Sequence, residues 1–446
     1  MYRDTQIMIR PGHPLYDYCS TVCHNANNLY NAALFRQRQL MTGLKKEHPT
    51  ENEQEIIDEV NHYLANREFS ADKWLLSYYE LNDLMKKSEN PDYMNGLPRQ
   101  TAQNVLRQMA RDFKSFFKAN KEYNRHPEKF TGKPKLPGYK TKGGQTTAAI
   151  TNQECVICED GLKLPLTKER LKLRNGVSGR LKEVKIVPYH DVYVIHVIMD
   201  TEEEPGSCRE PARIIAIDRG VSNLAAITNN CGLPCLLFKG GSLKSVNQWY
   251  NKQIARIMSE QTTGTTDKFR TTPEYQKLCV KRENRMRDAF HKTAKHIVDW
   301  CIDNDIDTIV VGVNKGWKQE SNMGKTSNQN FVQLPFDKLC HCLMYRCMEA
   351  GINYIEQEES YTSKASFLSK DYIPIYGKDD DKKENLQFSG YRMSRGLYKD
   401  KCSSAAINAD LNGSANILRK AFPDMDFEVN FKDIQVIKNS HVVPRS

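Results

Sequence analysis

The sequence predicts a multidomain α+β protein: a helical module inserted in a small β-barrel, followed by an α/β domain. Three observations predict it. A short β-prone run at residues 2–10 (YRDTQIMIR) gives way after Pro14 to a long stretch of helical period. Residues 145–200 then carry several short β-prone runs separated by turn residues. From residue 213, buried strand-like runs alternate with helical ones. A chain of 446 residues is long enough for two or three domains.

The elements follow in order. Leu15, Cys19, Val22, Ala26, Leu29 and Ala33 recur at the spacing of one helix face. Further helical patterns cover 52–66, 70–87 and 97–123, the last opened by Pro98-Arg99-Gln100-Thr101. Residues 14–125 therefore read as the helical module. Strand-like runs at Glu154–Glu159, Gly161–Leu166, Arg170–Arg174, Leu181–Val187 and Val192–Met199 read as the barrel. Residues 1–13 and 126–205 would form it together. The polar stretch TEEEPGSCREPA (201–212) is a linker, residues 206–420 the α/β domain, and 421–446 a C-terminal tail.

Composition narrows the function. The chain has 65 Lys+Arg against 55 Asp+Glu, a net charge of +10. Such an excess suits a polyanionic partner, with solubility alone as the plainer explanation. No apolar run is long enough for a membrane-spanning helix. The N-terminal MYRDTQIMIRPGHP lacks the apolar core of a signal peptide, so a cytoplasmic protein is expected. The 13 cysteines are scattered and odd in number, which suits reduced core thiols. Cys19-x3-Cys23, Cys155-x2-Cys158 and Cys231-x3-Cys235 have no partner pair at zinc-finger spacing, so no structural zinc is expected.

Charge is concentrated between Arg107 and Lys142, with 11 Lys/Arg against 3 Asp/Glu and with Phe113, Phe116, Phe117, Tyr123, Phe130 and Tyr139 interleaved. Cations neutralise phosphates, and aromatic rings offer faces for bases to stack on. Arg107, Lys114 and Lys118 fall on the helical part. Lys133, Lys135 and Lys140 fall in GKPKLPGYK, which cannot be helical. An amphipathic helix with a solvated face accounts for the first three. The extended basic loop is better explained by a nucleic acid.

Three carboxylate positions stand out in the second half. Asp218 ends the buried run RIIAID and precedes a tight turn. Glu358 and Glu359 end a strand that follows the helix of Leu339, Leu343, Cys347 and Ala350. Asp410 opens the helical run of INADLNGSANILRK. Singly, each has an ordinary explanation: a turn aspartate, a solvated strand end, a helix cap.

Together they resemble something definite. Residues 213–420 are similar to the RuvC-like nuclease domain of the TnpB family, transposon-encoded proteins related to type V CRISPR effectors. IIAIDRGVSNLAAIT resembles the first RuvC motif and INADLNGSANILRK the third. The helix at 277–300 resembles the family's basic bridging helix, and KASFLS and YRMSRGLY resemble stretches of one branch. The first half matches in layout, as a wedge-like (OB-like) barrel interrupted by a helical recognition module.

The resemblance implies an RNase-H-like fold and an RNA-guided DNA endonuclease. Its partners would be a structured guide RNA and target double-stranded DNA, with no membrane, in a prokaryotic cytosol or nucleoid. Two magnesium ions (manganese substituting) would clamp the attacking and leaving oxygens of a phosphodiester. Lys281, Arg282 and Arg285 of the bridging helix, and Lys315, Trp317 and Lys318 beyond the next strand, join the expected nucleic-acid contacts.

The sequence departs from the family twice. The usual second-motif glutamate is absent from the end of the strand Thr308–Gly312, with no acid before Glu320. Only Cys402 lies between Glu359 and Asp410, so the family's four-cysteine zinc site cannot form there. We expect the second acid on the neighbouring strand, as Glu359, with Glu358 as the other candidate. Asp218, Glu359 and Asp410 are then the catalytic and metal-binding set. A guided DNA-binding protein that does not cut, acting as a repressor, is the alternative, and a RuvC-like nuclease or transposase working without RNA a third reading.

Overall fold

A computed structural model of the chain describes residues 1–173, 179–201, 204, 206–264, 268–314, 334–375, 387–394, 396–403 and 405–438. The chain is a mixed α/β multidomain protein, dividing into two compact units, Met1–Glu203 and Glu204–Ser446.

The first unit opens with β1 (Tyr2–Ile9), which zips antiparallel onto a strand nearly two hundred residues later, with Tyr2 opposite Asp200 and Ile9 opposite Tyr193. The helices α1 (Tyr16–Gly43), α2 (Glu51–Tyr63), α3 (Tyr78–Lys87) and α4 (Arg99–Arg125) intervene. The chain then makes β2 (Ala148–Thr151), β3 (Val156–Cys158), β4 (Gly161–Lys163), β5 (Arg170–Leu171), β6 (Arg180–Tyr189) and β7 (Val192–Asp200). The helices are thus an insertion between two strands of one sheet. On α1 the buried face runs through Cys19, Val22, Cys23, Ala26, Leu29, Tyr30 and Ala33, the periodicity visible in the sequence.

Two details differ from the sequence expectation. The third helix begins at Tyr78 rather than near residue 70. A reciprocal capping box fixes that start: the Glu80 amide donates to Ser77 Oγ (3.3 Å) and the Ser77 amide to Glu80 Oε2 (2.7 Å). The expected barrel is, among the described residues, an antiparallel sheet of order β1-β7-β6-β2, with β3-β4-β5 as a separate sheet. Strands β1 and β2 stand at its edges.

The second unit is built on a six-stranded mixed sheet. Its strands are β8 (Ile214–Asp218), β9 (Asn223–Asn229), β10 (Cys235–Lys239), β11 (Thr308–Val313), β12 (Asn353–Glu358) and β16 (Ile434–Lys438), in the order β12-β11-β8-β9-β10-β16. Strand β9 is antiparallel to β8 and β10, while β11 is parallel to β8 and β12. The residues expected as a tail thus supply an edge strand, β16 beside β10. Helices α5 (Gly241–Thr262), α6 (Pro273–Asp303), α7 (Phe336–Ala350) and α8 (Ala409–Ala421) accompany the sheet, and β13 (Gly390–Ser394), β14 (Leu397–Asp400) and β15 (Ala406–Asn408) form a small antiparallel sheet.

Both faces of β8 are buried, which is why it reads as an unbroken apolar run. Ile215 and Ile217 pack with Phe290 and Ile297 of α6 and Leu339 and Leu343 of α7. Ile214 and Ala216 pack with Val310 of β11 and Ile417 and Leu418 of α8. Alternation along the strand therefore gives Asp218 to the α8 face.

Two aspartates tie together the described residues around 366–371, 389 and 400–403 through hydroxyls and amides. Asp400 is fully buried (0% exposed). It accepts from Ser366 Oγ (2.5 Å), Ser369 Oγ (2.7 Å), the Ser403 amide (2.6 Å) and Ser403 Oγ (2.8 Å). Asp371 accepts from the Ser366 and Ser389 amides (2.7 and 2.9 Å) and from Ser389 Oγ (2.6 Å). Burial alone would raise the Asp400 carboxyl; the serine donors outweigh it and hold it far below its ordinary range. Asp400→Ala should cost about 3 kcal/mol, because it orphans several buried donors at once. A carboxyl held low contributes stability that is complete above its unfolded-state value and is lost as pH falls through the folded-state one. The gap between wild type and variant should therefore persist down to about pH 4 and shrink only below it. Denaturant melts at neutral and acid pH check this, and a loss under about 0.5 kcal/mol at neutral pH would contradict it.

Candidate active site

The ends of β8, β11 and β12 lie side by side in the sheet of the second unit. Val311 pairs with Ile217, so the next residues, Gly312 and Asp218, are neighbours at the strand ends. On the other side of β11, Val313 pairs with Glu358, the last residue of β12. Glu359 follows directly. Helix α8 begins beside them with Asp410 in its first turn, capped by Asn408, whose Oδ1 accepts from the Asp410 and Leu411 amides (3.0 and 3.1 Å).

The DLNGSAN stretch of α8 bonds this helix to both neighbours. Ser414 Oγ donates to the Ala216 carbonyl of β8 (2.8 Å) and accepts from the Thr228 amide of β9 (3.1 Å). Asn412 donates to the Ala365 carbonyl (2.8 Å), and Asn416 to the carbonyls of Thr362 (2.9 Å) and Ala365 (2.7 Å). Thr362 in turn donates through Oγ1 to the Glu359 carbonyl (2.8 Å). One helix thus braces both the strand that ends in Asp218 and the segment that carries Glu359.

Two glycines are packed against carboxylate oxygens. A Cβ on Gly413 would lie 2.7 Å from Asp218 Oδ2, and one on Gly312 would lie 2.5 Å from Glu359 Oε2. That Glu359 oxygen is buried and, among the described residues, has no hydrogen-bond partner. Glu358 behaves differently. It pairs with Lys420 of α8 (2.5 Å), a lysine whose side chain is almost fully buried, and accepts from the Ser360 amide (2.7 Å). Of the two glutamates, Glu358 is held by a cation and Glu359 presents a free acceptor.

The electrostatics are those of crowded acids. Burial, then the charges of Glu359 and Asp410, raise the Asp218 carboxyl well above its ordinary range, against the opposing pull of Arg392 and Arg219. Burial also raises Glu359, aided by Glu358, while Arg219 and Lys420 oppose the shift. Asp410 has donors of its own: Asn223 Nδ2 (2.7 Å) and Arg392 (3.1 Å), with Lys239 in turn donating to Asn223 Oδ1 (2.9 Å).

Among the described residues, no three His, Cys, Asp or Glu side chains stand in metal-coordinating geometry as they lie. The residues nonetheless fit divalent ions. The donor set is all oxygen, which suits a hard cation. A buried carboxylate oxygen lacks a partner, and two glycines leave room where side chains would displace the acids.

Of the expected nucleic-acid contacts, Arg107, Lys114 and Lys118 are exposed on α4, and Lys133 and Lys135 are exposed in the loop beyond it. Arg107 stacks over Tyr78 (4.7 Å). Lys140 is tied to its own unit. Its backbone exchanges hydrogen bonds with the Asn31 side chain (2.8 and 3.0 Å), and its ammonium lies over Tyr30 (4.6 Å). On α6, Lys281 is exposed and lies over Trp249 (5.3 Å), Arg285 is half-buried, and Arg282 donates to Asn247 Oδ1 (2.6 Å) beneath Tyr250. Lys315, Trp317 and Lys318 lie outside the described residues. Sequence reasoning missed Arg219, Asn223, Gly312, Arg392 and Gly413. Arg219 and Asn223 flank the first acidic motif, and Arg392 lies within the YRMSRGLY stretch, so position near a motif was the available signal.

The family described as "OrfB_IS605: Probable transposase" matches residues 196–318, which include Asp218 but neither Glu359 nor Asp410. The TnpB-like protein ORF457 of Acidianus two-tailed virus is 23% identical over 244 residues, 52% of this chain and 47% of that protein. The chain thus spans about half the length of this curated relative. Among solved structures, a Cas12f1-sgRNA-target DNA complex is similar at a TM-score of 0.47 and 13% identity, covering 90% of this chain and 82% of that one. The mini-RNA-guided endonuclease CRISPR-Cas_phi3 is similar at 0.42 and 9% identity, covering 96% and 93%.

The raised Asp218 carboxyl has a measurable consequence. Its contribution to stability is complete below the unfolded-state value, about 3.9, and is lost as pH rises through the raised folded-state value. Without metal, the ionised acid therefore weakens the fold at neutral pH. Asp218→Asn should raise the melting temperature by roughly 2–6 °C near pH 7.5 in EDTA, and the gain should vanish near pH 4. Differential scanning fluorimetry across that range reads it out; an unchanged or lower melting temperature near pH 7.5 would count against like-charge crowding.

Proposed function

We infer that this chain, a relative of the TnpB family, is an RNA-guided DNA endonuclease whose metal-dependent centre is formed by Asp218, Glu359 and Asp410. The observation that carries the site assignment is the partnerless buried oxygen of Glu359 beside Gly312, at the end of the strand next to Asp218. The sheet order supports an RNase-H-like reading: Asp218 ends the central β8, flanked by parallel β11 and antiparallel β9.

When bound, divalent ions would supply Lewis-acid stabilisation of the attacking and leaving oxygens. The chain's own residues do the rest. Asp218 and Glu359 present ligand oxygens from the strand ends, where burial keeps competing water away. Asp410 presents one from the N-terminus of α8, where the helix dipole favours an anion. Glu358 turns away to Lys420 and so fixes the bend that aims Glu359 inward. Sequence choice would lie in base pairing between guide and target, as in RNA-guided effectors generally. The exposed lysines of α4 and its following loop would neutralise phosphates.

A guided binder that does not cut is favoured by one observation, the pairing of Arg392 with Asp410, which occupies an oxygen the metals would need. Plasmid cleavage with the co-purifying RNA decides between the two. Glu359→Gln and Asp218→Ala should each lower cutting by at least about 100-fold with guided binding retained, while Glu358→Gln should cut substantially better than either. EDTA should abolish cleavage and magnesium restore it. Loss confined to Glu358→Gln would move the assignment one residue, and wild-type protein that binds its target without cutting would establish the binder.

The basic loop is tested separately. Lys133→Ala with Lys135→Ala should flatten the slope of log affinity against log salt by about one to two. An unchanged slope would place this loop away from the nucleic acid.

A further inference from the structure

We propose that Gly312 and Arg219 are positioning residues that seat the carboxylate of Glu359, an inference that rests on the site assignment above. Gly312 lies on the α8 face of β11, two residues beyond Val310, which packs against Ile417 and Leu418. A side chain there would meet Glu359 Oε2 at 2.5 Å and Ile417 Cδ1 at 2.4 Å. Contacts that short are repulsive, so any larger residue must push one neighbour aside. The glutamate thus fills the volume that glycine leaves, on the strand where the sequence lacks an acid.

Arg219, the residue just beyond β8, acts on the same spot. Its Nε donates to the Gly312 carbonyl (2.9 Å), and its guanidinium reaches Cys340 Sγ (3.1 Å) and lies over the Phe336 ring (5.9 Å) of α7. These contacts anchor the end of β11 to the start of α7. They also keep a fixed cation beside Glu359, where it opposes the crowding of acids. Arginine suits the task because its planar fork holds several partners at once, which a lysine ammonium does not reproduce.

The test is Mn2+ titration calorimetry on the full chain, with melting curves as the control for folding. Gly312→Ala is made together with Ile417→Val, which removes the Cδ1 atom and its 2.4 Å conflict, so that the shortest remaining contact of the new methyl, at 2.5 Å, is with Glu359 Oε2, ahead of Ile417 Cγ1 at 3.2 Å. Ile417→Val is the reference. Gly312→Ala should weaken Mn2+ binding at least about tenfold on that reference, the range seen when a ligand's supporting partner is lost. In a Glu359→Gln background the same substitution should have no further effect, because it acts through that carboxylate. Arg219→Met should likewise weaken binding, and not additively with Glu359→Gln. Unchanged affinity in the Gly312 variant, or an equal loss with Glu359→Gln already present, overturns the role of Gly312. Tighter binding in Arg219→Met reduces Arg219 to a counter-charge and overturns its positioning role. If Glu359→Gln alone leaves Mn2+ affinity unchanged, the metal assignment fails and this inference with it. If Glu359→Gln weakens binding and the Gly312 variant does not, only the inference fails.

Discussion

Holding like charges together at the end of a buried sheet is the constraint around which the second unit is organised. Burial, with the charges of Glu359 and Asp410 nearby, raises the cost of ionising Asp218, and burial with Glu358 nearby raises that of Glu359. The surroundings divide the burden. Asn223 and Arg392 stabilise Asp410 directly. Arg219 and Lys420 flank the glutamate pair, and Lys420 binds Glu358 so that only Glu359 is left facing the other acids. What is left uncompensated sits on Asp218 and on one oxygen of Glu359. An all-oxygen cluster left electrostatically incomplete in this way suits a hard cation, whose charge would offset the crowding.

Helix α8 makes the arrangement possible. Its buried face is polar as well as apolar, with Asn412, Ser414 and Asn416 all fully buried. Each spends its hydrogen-bonding groups on backbone of the sheet or of the Glu359 segment, so no donor is wasted against apolar packing. Gly413 lies among them because a methyl group there would press on Asp218. The serine-aspartate cluster around Asp400 extends the same logic outward. It orders the hairpin of β13 and β14, and that hairpin delivers Arg392 to Asp410. Charge-assisted hydrogen bonds can replace a metal as a local brace when every donor is satisfied, and four donors meet Asp400.

Much of this was legible in the sequence. The unbroken apolar run before Asp218 marked a strand buried on two faces, and the α1 periodicity marked its core face residue by residue. Other features were hidden for physical reasons. The start of α3 depended on a local capping box that outweighed an apolar pattern extending further back. The edge strand β16 is short and stays largely exposed, and it forms by pairing with a strand about two hundred residues away. The Lys420–Glu358 pair and the reach of Arg392 depend on tertiary placement, which no spacing rule encodes. Which of Glu358 and Glu359 lies on the α8 face was half-legible. Ile214, Ala216 and Asp218 share a face, as do Val310 and Gly312, and Ile355 packs on that same α8 side. Alternation from Ile355 leads to Glu359. Applying it required knowing which helix covers which face, and only the fold supplies that.

What an acid can do depends on where its oxygens lie, not on the strand that carries it. Neighbouring parallel strands are about 4.8 Å apart, a distance a glutamate side chain can cross. Gly312 and Gln357 are register partners on β11 and β12, so Glu359 starts two residues beyond the level of Gly312. The chain then bends sharply. Tyr361 adopts φ +65°, and the Thr362 hydroxyl closes back on the Glu359 carbonyl. Glu359 Oε2 fills the space that the missing Gly312 side chain leaves, so the carboxylate lies against β11, the strand that carries no acid at its end. Glu359 and the bare Cα of Gly312 belong together: a Cβ at 312 would lie 2.5 Å from Glu359 Oε2, so a side chain at this point of β11 and this carboxylate position exclude each other. The two positions, far apart in sequence and on different strands, thus form a single steric unit that neither strand shows alone.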